Sequence, residues 1–379
     1  MNPIGVYIHI PFCVHKCAYC DFYSLASSAT SGYAEAIVRQ MKAHKNDFKG
    51  RFVDTVYIGG GTPTVLPPED ITKILDGLRA YTDVATDAEI TIEANPGTLD
   101  GTRLSAYRRA GINRLSIGLQ SADDEELFML SRIHTAEDFE NSFLLARMEG
   151  FDNINIDIMY ALPHQTIGKL TKTLSYVAEM NPEHVSFYGL KIEENTPFGR
   201  FPNIERTLPD EETQVRMYIN SCKFLESRGL KQYEISNFAK AGKECRHNLK
   251  YWNSNDYIGF GPDAHSMIGG RMFSYKRDFL AYLAHSAEDA PIIDENYTMT
   301  LREMAVQYVM LALRLTKGVS KSEYASRFGM DFDKKYLDKI KPFMHKKLIV
   351  ENEDGYHLSR RGMLISNLIL SEILDFDEK

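Results

Sequence analysis

The chain is poor in the features that staple, anchor or coat a protein. It has five cysteines in 379 residues. Three of them, Cys13, Cys17 and Cys20, crowd near one end, with Cys222 and Cys245 far away. An odd count so distributed is not the disulfide framework of a secreted domain. No apolar run is long enough to span a bilayer. The first residues lack a basic stretch, and Pro3, His9 and Pro11 interrupt any apolar segment, which excludes a secretory signal. Excess positive charge is missing too: 44 Lys and Arg face 52 Asp and Glu, a net charge of −8. That argues against a general binder of phosphate backbones, so no nucleic acid partner is expected. The expectation is a cytoplasmic protein, with peripheral membrane association left open. In that reducing compartment closely spaced thiols bind metal or do redox work.

What is present is an ordinary soluble composition, 44% hydrophobic and 25% charged, in a length that allows one large domain and a smaller one. The first half repeats one rhythm. Short apolar, β-branched runs recur at Val6–Ile10, Thr55–Ile58, Glu89–Ala94, Asn113–Leu119, Ile154–Leu162 and His184–Leu190. Amphipathic helical patterns separate them at Gly32–Phe48, Pro68–Tyr81, Leu99–Ala110, Ala136–Glu149 and Ile167–Met180. Alternation of this kind implies right-handed βαβ units and a parallel sheet, either open or a partial barrel. After about Asn195 the rhythm breaks. The pattern predicts a helix over Asp210–Ser227, a strand over Gln232–Asn237 and function-bearing loops over Ala239–Ser266. From about Thr300, helical patterns at Leu301–Leu315, Lys321–Phe328 and Phe332–Lys346 precede a hairpin over Leu348–Leu358 and a last helix over Arg360–Leu374. This predicts a compact winged-helix-like appendage.

Residues 13–20 read Cys-Val-His-Lys-Cys-Ala-Tyr-Cys, one loop directly after the first strand. Three converging thiolates suit a soft metal centre. A structural zinc would need a fourth ligand, such as His15; a cubane cluster on three cysteines leaves one iron open. The second strand ends in Gly59-Gly60-Gly61-Thr62-Pro63, where glycine permits close approach of a ligand to the backbone. Later strand ends carry Glu93, Gln120 and Asp157, and Arg132 follows in Leu130-Ser131-Arg132, a side chain suited to a carboxylate. The strand ends are where βα barrels build their sites.

The Cys-x3-Cys-x2-Cys spacing with Tyr19 before the last cysteine resembles the signature of the radical S-adenosylmethionine (SAM) superfamily. Tyr7-Ile8-His9-Ile10-Pro11-Phe12-Cys13, Gly59–Pro63, Gly118-Leu119-Gln120-Ser121, Asn155-Ile156-Asp157 and Gly259-Phe260-Gly261 narrow the resemblance to the HemN/HemW group. So does Tyr188-Gly189-Leu190 with Glu193, Asn195, Thr196 and Pro197, and the likeness covers essentially the whole chain. The resemblance implies an α/β fold: a partial (β/α)6 radical SAM barrel with a small, mainly helical, winged-helix-like C-terminal domain. The divisions expected are residues 1–238 for the barrel, 239–300 for a connecting segment and 301–379 for the HemN-like domain. It implies a [4Fe–4S] cluster on Cys13, Cys17 and Cys20. It also implies SAM contacts at Tyr7, Tyr19, Gly60, Gly61, Thr62, Glu93, Gln120, Arg132 and Asp157. In that superfamily an electron from the cluster cleaves SAM to methionine and a 5′-deoxyadenosyl radical.

Within the group, HemN proteins are oxygen-independent coproporphyrinogen III oxidases and HemW proteins are haem chaperones. HemN has a further cysteine two residues after the third ligand, where this chain has Phe22. The first apolar run begins almost at Met1, so the extension that precedes the first strand in HemN is not expected here. His247-Asn248-Leu249-Lys250-Tyr251-Trp252 resembles the His-Asn-x-x-Tyr-Trp haem motif of HemW. The expectation is therefore a haem chaperone. His247 or Cys245 would be an axial ligand, Tyr251 and Trp252 would pack on the macrocycle, and the partners would be a haem-acceptor protein and an electron donor to the cluster. The alternative is the oxidase. A DNA-binding role for the appendage is disfavoured by its balance of 14 Lys and Arg against 12 Asp and Glu over 301–379.

Overall fold

The computed structural model describes residues 2–27 and 30–374. The end of the expected C-terminal domain, 375–379, lies outside them. The apolar runs form six strands: β1 (Asn2–Ile10), β2 (Arg51–Gly60), β3 (Val84–Ala94), β4 (Arg114–Gln120), β5 (Ile154–Tyr160) and β6 (His184–Gly189). They are parallel neighbours in chain order. The connecting helices are α1 (Tyr33–Ala43), α2 (Pro68–Tyr81), α3 (Gly101–Arg109), α4 (Asp124–Met129), α5 (Ala136–Met148) and α6 (Ile167–Met180). The sheet order is linear, so the barrel is partial.

Period-two alternation sorts each strand's side chains onto two faces. Val6, Ile8, Val56, Ile58, Ile92, Ile117 and Ile156 are fully buried on the outer face, in the core shared with the helices. The inner face is polar from end to end: Thr55 and Tyr57 on β2, Glu89, Thr91 and Glu93 on β3, Arg114 and Ser116 on β4, Asn155 and Asp157 on β5. Apolar burial outside holds the barrel together at about 1.5–3 kcal/mol per large aliphatic side chain. The lumen is left free for polar chemistry.

The stretch Ala239–Ser266, expected as loops, carries a helix and strands, and the segment 239–300 continues the barrel sheet. After α7 (Glu211–Ser227), a hairpin of β7 (Lys231–Gln232) and β8 (Asn237–Ala239) pairs with β6. The single strand expected over Gln232–Asn237 is therefore two, because its middle residues make the turn and Glu234 accepts there from the Ser236 amide. Next come α8 (Arg246–Trp252) and β9 (Tyr257–Phe260), which lies parallel on the free edge of β1. A meander, β10 (His265–Ile268), β11 (Arg271–Tyr275) and β12 (Ile293–Thr298), continues that edge, giving twelve strands in the described sheet. Ile258, Phe260, Phe273 and Tyr275 are buried in the barrel core, which is why these strands belong to it.

The helices Leu301–Ala312, Lys321–Phe328 and Phe332–His345 and a three-stranded sheet form the C-terminal appendage around a separate core. The last expected helix breaks at Ile365 into two short ones. Among the described residues no helix is long and apolar enough to cross a membrane.

Candidate site at the mouth of the barrel

The turns after the strands converge on one cavity of about 450 Å³. Cys13, Cys17, Tyr19, Cys20, Gly60, Gly61, Thr62, Glu93, Gln120, Arg132 and Asp157 all line it. A larger hollow of about 660 Å³ between α2 and α3, on the outside of the molecule, gathers no thiol. Of the expected SAM residues Tyr7 alone does not line the cavity. It sits one layer behind, its ring stacked on Tyr57 at 6.4 Å and its hydroxyl 3.0 Å from His9 Nδ1.

The cysteine loop is fastened to the later loops. The Ala18 amide donates to Leu130 O at 3.1 Å, and Ala18 O accepts from the Phe198 amide at 2.9 Å. Thr62 Oγ1 donates to Cys13 Sγ at 3.6 Å and Arg132 Nη1 to Cys17 Sγ at 3.4 Å. Burial raises the Cys13 thiol and pushes Cys20 up to about 11. Among the described residues no three His, Cys, Asp or Glu side chains converge tightly enough to hold a single metal ion. The three thiols instead border a shared space. That suits a polynuclear cluster, whose ligands bind different irons, better than one zinc.

The glycine turn is sterically obligatory. A Cβ on Gly60, where φ is +109°, would lie 2.5 Å from the His9 ring; one on Gly61 would lie 2.6 Å from Phe12 O. Both amides are already engaged, Gly60 N with Glu93 Oε2 at 3.1 Å and Gly61 N with Ile10 O at 2.8 Å. The turn therefore offers a ligand only acceptors, the complement of an ammonium group. Glu93 adds a carboxylate, held by the Tyr57 hydroxyl at 2.8 Å. It is open to the cavity yet enclosed by protein. That desolvation, reinforced by the charge of Asp157, pushes it up to about 7. Asp157 is raised as well by desolvation, and accepts from Asn155 Nδ2 at 2.7 Å and Ser116 Oγ at 3.2 Å.

Arg132 is delivered by the end of α4. Ser131 takes φ +58°, and the Arg132 amide closes back on Leu127 O at 2.9 Å. The guanidinium donates to Asn95 Oδ1 at 2.7 Å and Gly118 O at 2.8 Å. Its Nε is sealed from solvent without a partner. A cation so placed has capacity left for an anionic group. Gln120 ends β4 at φ +70°, a strained backbone of the kind that clusters at functional sites. Ammonium, carboxylate and sulfonium are the charges SAM carries, and this donor and acceptor set fits them.

Sequence reasoning missed Tyr57, Asn95, Ser116 and Asn155, which hold the lining side chains. Ser116 and Asn155 share a strand face with the expected Gln120 and Asp157, Tyr57 lies on the inner face of β2, and Asn95 directly follows β3. The acidic run Asp123–Glu126 likewise marks the start of α4, where the Asp123 side chain accepts from the Glu125 and Glu126 amides.

The residues expected to hold haem are elsewhere. His247 and Cys245 are fully buried at the far end of the lumen, and the loop expected there is helix α8. Both imidazole nitrogens are occupied, Nδ1 by Thr55 Oγ1 at 2.9 Å and Nε2 by the Tyr251 hydroxyl at 2.8 Å. Burial, with Lys250 and Arg114 nearby, depresses His247 to about 3. Cys245 Sγ donates to Glu89 Oε1 at 3.6 Å, and burial pushes the thiol up to about 12. Trp252 is half-buried. In this fold neither His247 nor Cys245 offers haem iron a ligand atom.

A parallel partial barrel whose mouth gathers three thiols, a glycine turn and two enclosed carboxylates is the architecture of a radical SAM protein. The profile of the Radical SAM superfamily matches residues 7–177, and that of the HemN C-terminal domain matches 299–365. The fold superposes on coproporphyrinogen III oxidase (HemN) from Escherichia coli with a TM-score of 0.86 at 24% identity, covering 99% of this chain and 91% of that one. The sequence is 36% identical to the heme chaperone HemW of Bacillus subtilis (strain 168), covering 98% of this chain and 99% of the relative. It is 35% identical to the HemW of Escherichia coli (strain K12), covering 99% of both. The chain belongs to the HemW family of radical SAM proteins.

Proposed function

We propose that the chain is a cytoplasmic haem chaperone carrying a SAM-binding [4Fe–4S] cluster, which binds haem and passes it to a haem-requiring acceptor protein. The observation that supports the cluster and SAM is the mouth cavity itself, where three thiols share one space with an enclosed Glu93–Asp157 pair and the Arg132 guanidinium. Cys13, Cys17 and Cys20 hold the cluster. Glu93 and the glycine turn take the ammonium of SAM, Arg132 takes its carboxylate, and Tyr19, Thr62, Gln120 and Asp157 border the rest. Tyr7 contributes from behind, through its packing on Tyr57. The cluster and SAM together supply one-electron cleavage of a sulfonium bond, which calls for an external electron donor.

The chaperone role rests on full-length likeness to HemW proteins and on Phe22, which stands exposed at the cavity where HemN proteins have a cysteine. The second reading is the oxidase, favoured by the shared HemN fold. Haem delivery is assigned to the chain without an iron ligand, since His247 and Cys245 do not fit that role. Two assays on the cluster-loaded protein separate the readings. A haem titration should give a saturable Soret band with wild-type protein, and coproporphyrinogen III with SAM and reductant should yield no protoporphyrinogen. Protoporphyrinogen formation, or the absence of haem binding, would reverse the assignment.

A further inference from the structure

The helix that carries the His-Asn-x-x-Tyr-Trp residues closes the floor of the barrel. Glu89 caps its N-terminal end, accepting from the Arg246 and His247 amides at 3.1 Å each. Lys250, also buried, pairs with Asp54 Oδ1 at 2.7 Å. Strand β1 closes on it so tightly that a Cβ on Gly5 would lie 2.7 Å from Lys250 Cδ and 3.2 Å from His247 Cε1. From this plug the His247 ring reaches up to the Tyr57 ring, 5.4 Å between centroids. The Tyr57 hydroxyl donates to Glu93 at 2.8 Å. Whichever tautomer His247 adopts, its partners are hydroxyls that can donate or accept, so the ring is held at both nitrogens.

We propose that His247 is a positioning residue for the SAM pocket: the imidazole fixes the Tyr57 ring, and Tyr57 fixes the Glu93 carboxylate. A floor residue thereby sets the geometry of the mouth, and the motif acts on SAM rather than on haem iron. The inference rests on the assignment of the mouth cavity to SAM. Reaching the imidazole with a macrocycle would require expelling the helix, with loss of the Glu89 cap and of the buried Lys250–Asp54 pair. Breaking a buried ion pair strands a charge in the interior.

The test is SAM titration into full-length, cluster-reconstituted protein, with iron content and the Soret band of the haem-loaded form measured in parallel. His247→Ala and Tyr57→Phe should each weaken SAM binding about tenfold, and the double variant no further than the worse single, because both act through Glu93. His247→Gln can keep the hydrogen bonds to Thr55 and Tyr251 but loses the ring that packs on Tyr57, so it should weaken SAM binding as His247→Ala does and leave the Soret band in place. Tyr57→Phe keeps the packing and carries the test even where His247→Ala does not fold. Unchanged SAM affinity in Tyr57→Phe would overturn the inference. So would a displaced Soret band with intact SAM affinity in His247→Gln. A wild type that binds no SAM would instead bring down the reading of the cavity, and the inference with it.

Discussion

Glu93 is the residue whose chemistry is most altered by its place. Its ordinary value of 4.5 is pushed up to about 7 by desolvation and by Asp157. As pH rises from 4.5 to 7 the unfolded chain loses this proton while the folded chain keeps it. Folding is therefore favoured at the acid end, and this contribution is lost as pH approaches 7. Glu93→Gln carries no such proton. In the cluster-free protein its stability should gain on wild type between about pH 5 and pH 8, as read by denaturant midpoints. In the cluster-loaded protein the same change should weaken SAM binding about tenfold, because a hydrogen bond to a charged group is worth about 1.5–3 kcal/mol. An equal pH dependence in both proteins would show that Glu93 titrates as an ordinary surface glutamate. Arg132→Ala should weaken SAM as well, since the guanidinium lines the cavity and has no carboxylate partner among the described residues.

The elements divide by how locally they are specified. Helices Pro68–Tyr81 and Ile167–Met180 form at the bounds their periodicity predicts, because the apolar stripe and the start signal are local: Pro68 with Glu69 and Asp70 in the first, the Thr166 cap in the second. The six parallel strands are legible as apolar runs, but the strands over Thr55–Ile58 and Glu89–Ala94 extend to Arg51–Gly60 and Val84–Ala94. Ile117→Ala, on an outer face and fully buried, should cost about 2–5 kcal/mol in a denaturation series. A cost near zero would mean the strand is not packed as described. The α8 helix was not legible, for a physical reason. Its N-cap, Cys245, makes no side-chain cap, and the carboxylate that serves instead is Glu89, 156 positions earlier in the chain. Its buried residues are His247 and Lys250, because it packs into a polar lumen, so its inward face carries no apolar stripe. The same inversion hides Tyr57, Asn95 and Asn155. In this barrel the site faces the side where hydrophobic periodicity is silent, and the strand-end residues were legible only through their motifs.

At the scale of the whole molecule, the C-terminal appendage grips the floor helix rather than the mouth. Arg327 donates from Nη1 to Asn253 O and from Nη2 to Ser254 O, both at 2.8 Å, at the exit of α8. Arg327→Ala should leave the cluster in place and raise hydrogen exchange across residues 246–256, without exposing the outer strands. Unchanged exchange there would show that the appendage does not brace the floor. The mouth stays open on the opposite side, where Val14 and Phe22 of the cysteine loop are exposed. The assignment of that mouth to a cluster and SAM is tested most directly by the electron paramagnetic resonance spectrum of the reduced, anaerobically reconstituted protein, recorded with and without SAM alongside iron and sulfide content. Wild type should hold one cubane of iron and sulfide per chain, with a signal that changes when SAM is added. Cys13→Ser, Cys17→Ser and Cys20→Ser should each lose it. A spectrum indifferent to SAM, or full iron loading in any of the three variants, would contradict the account.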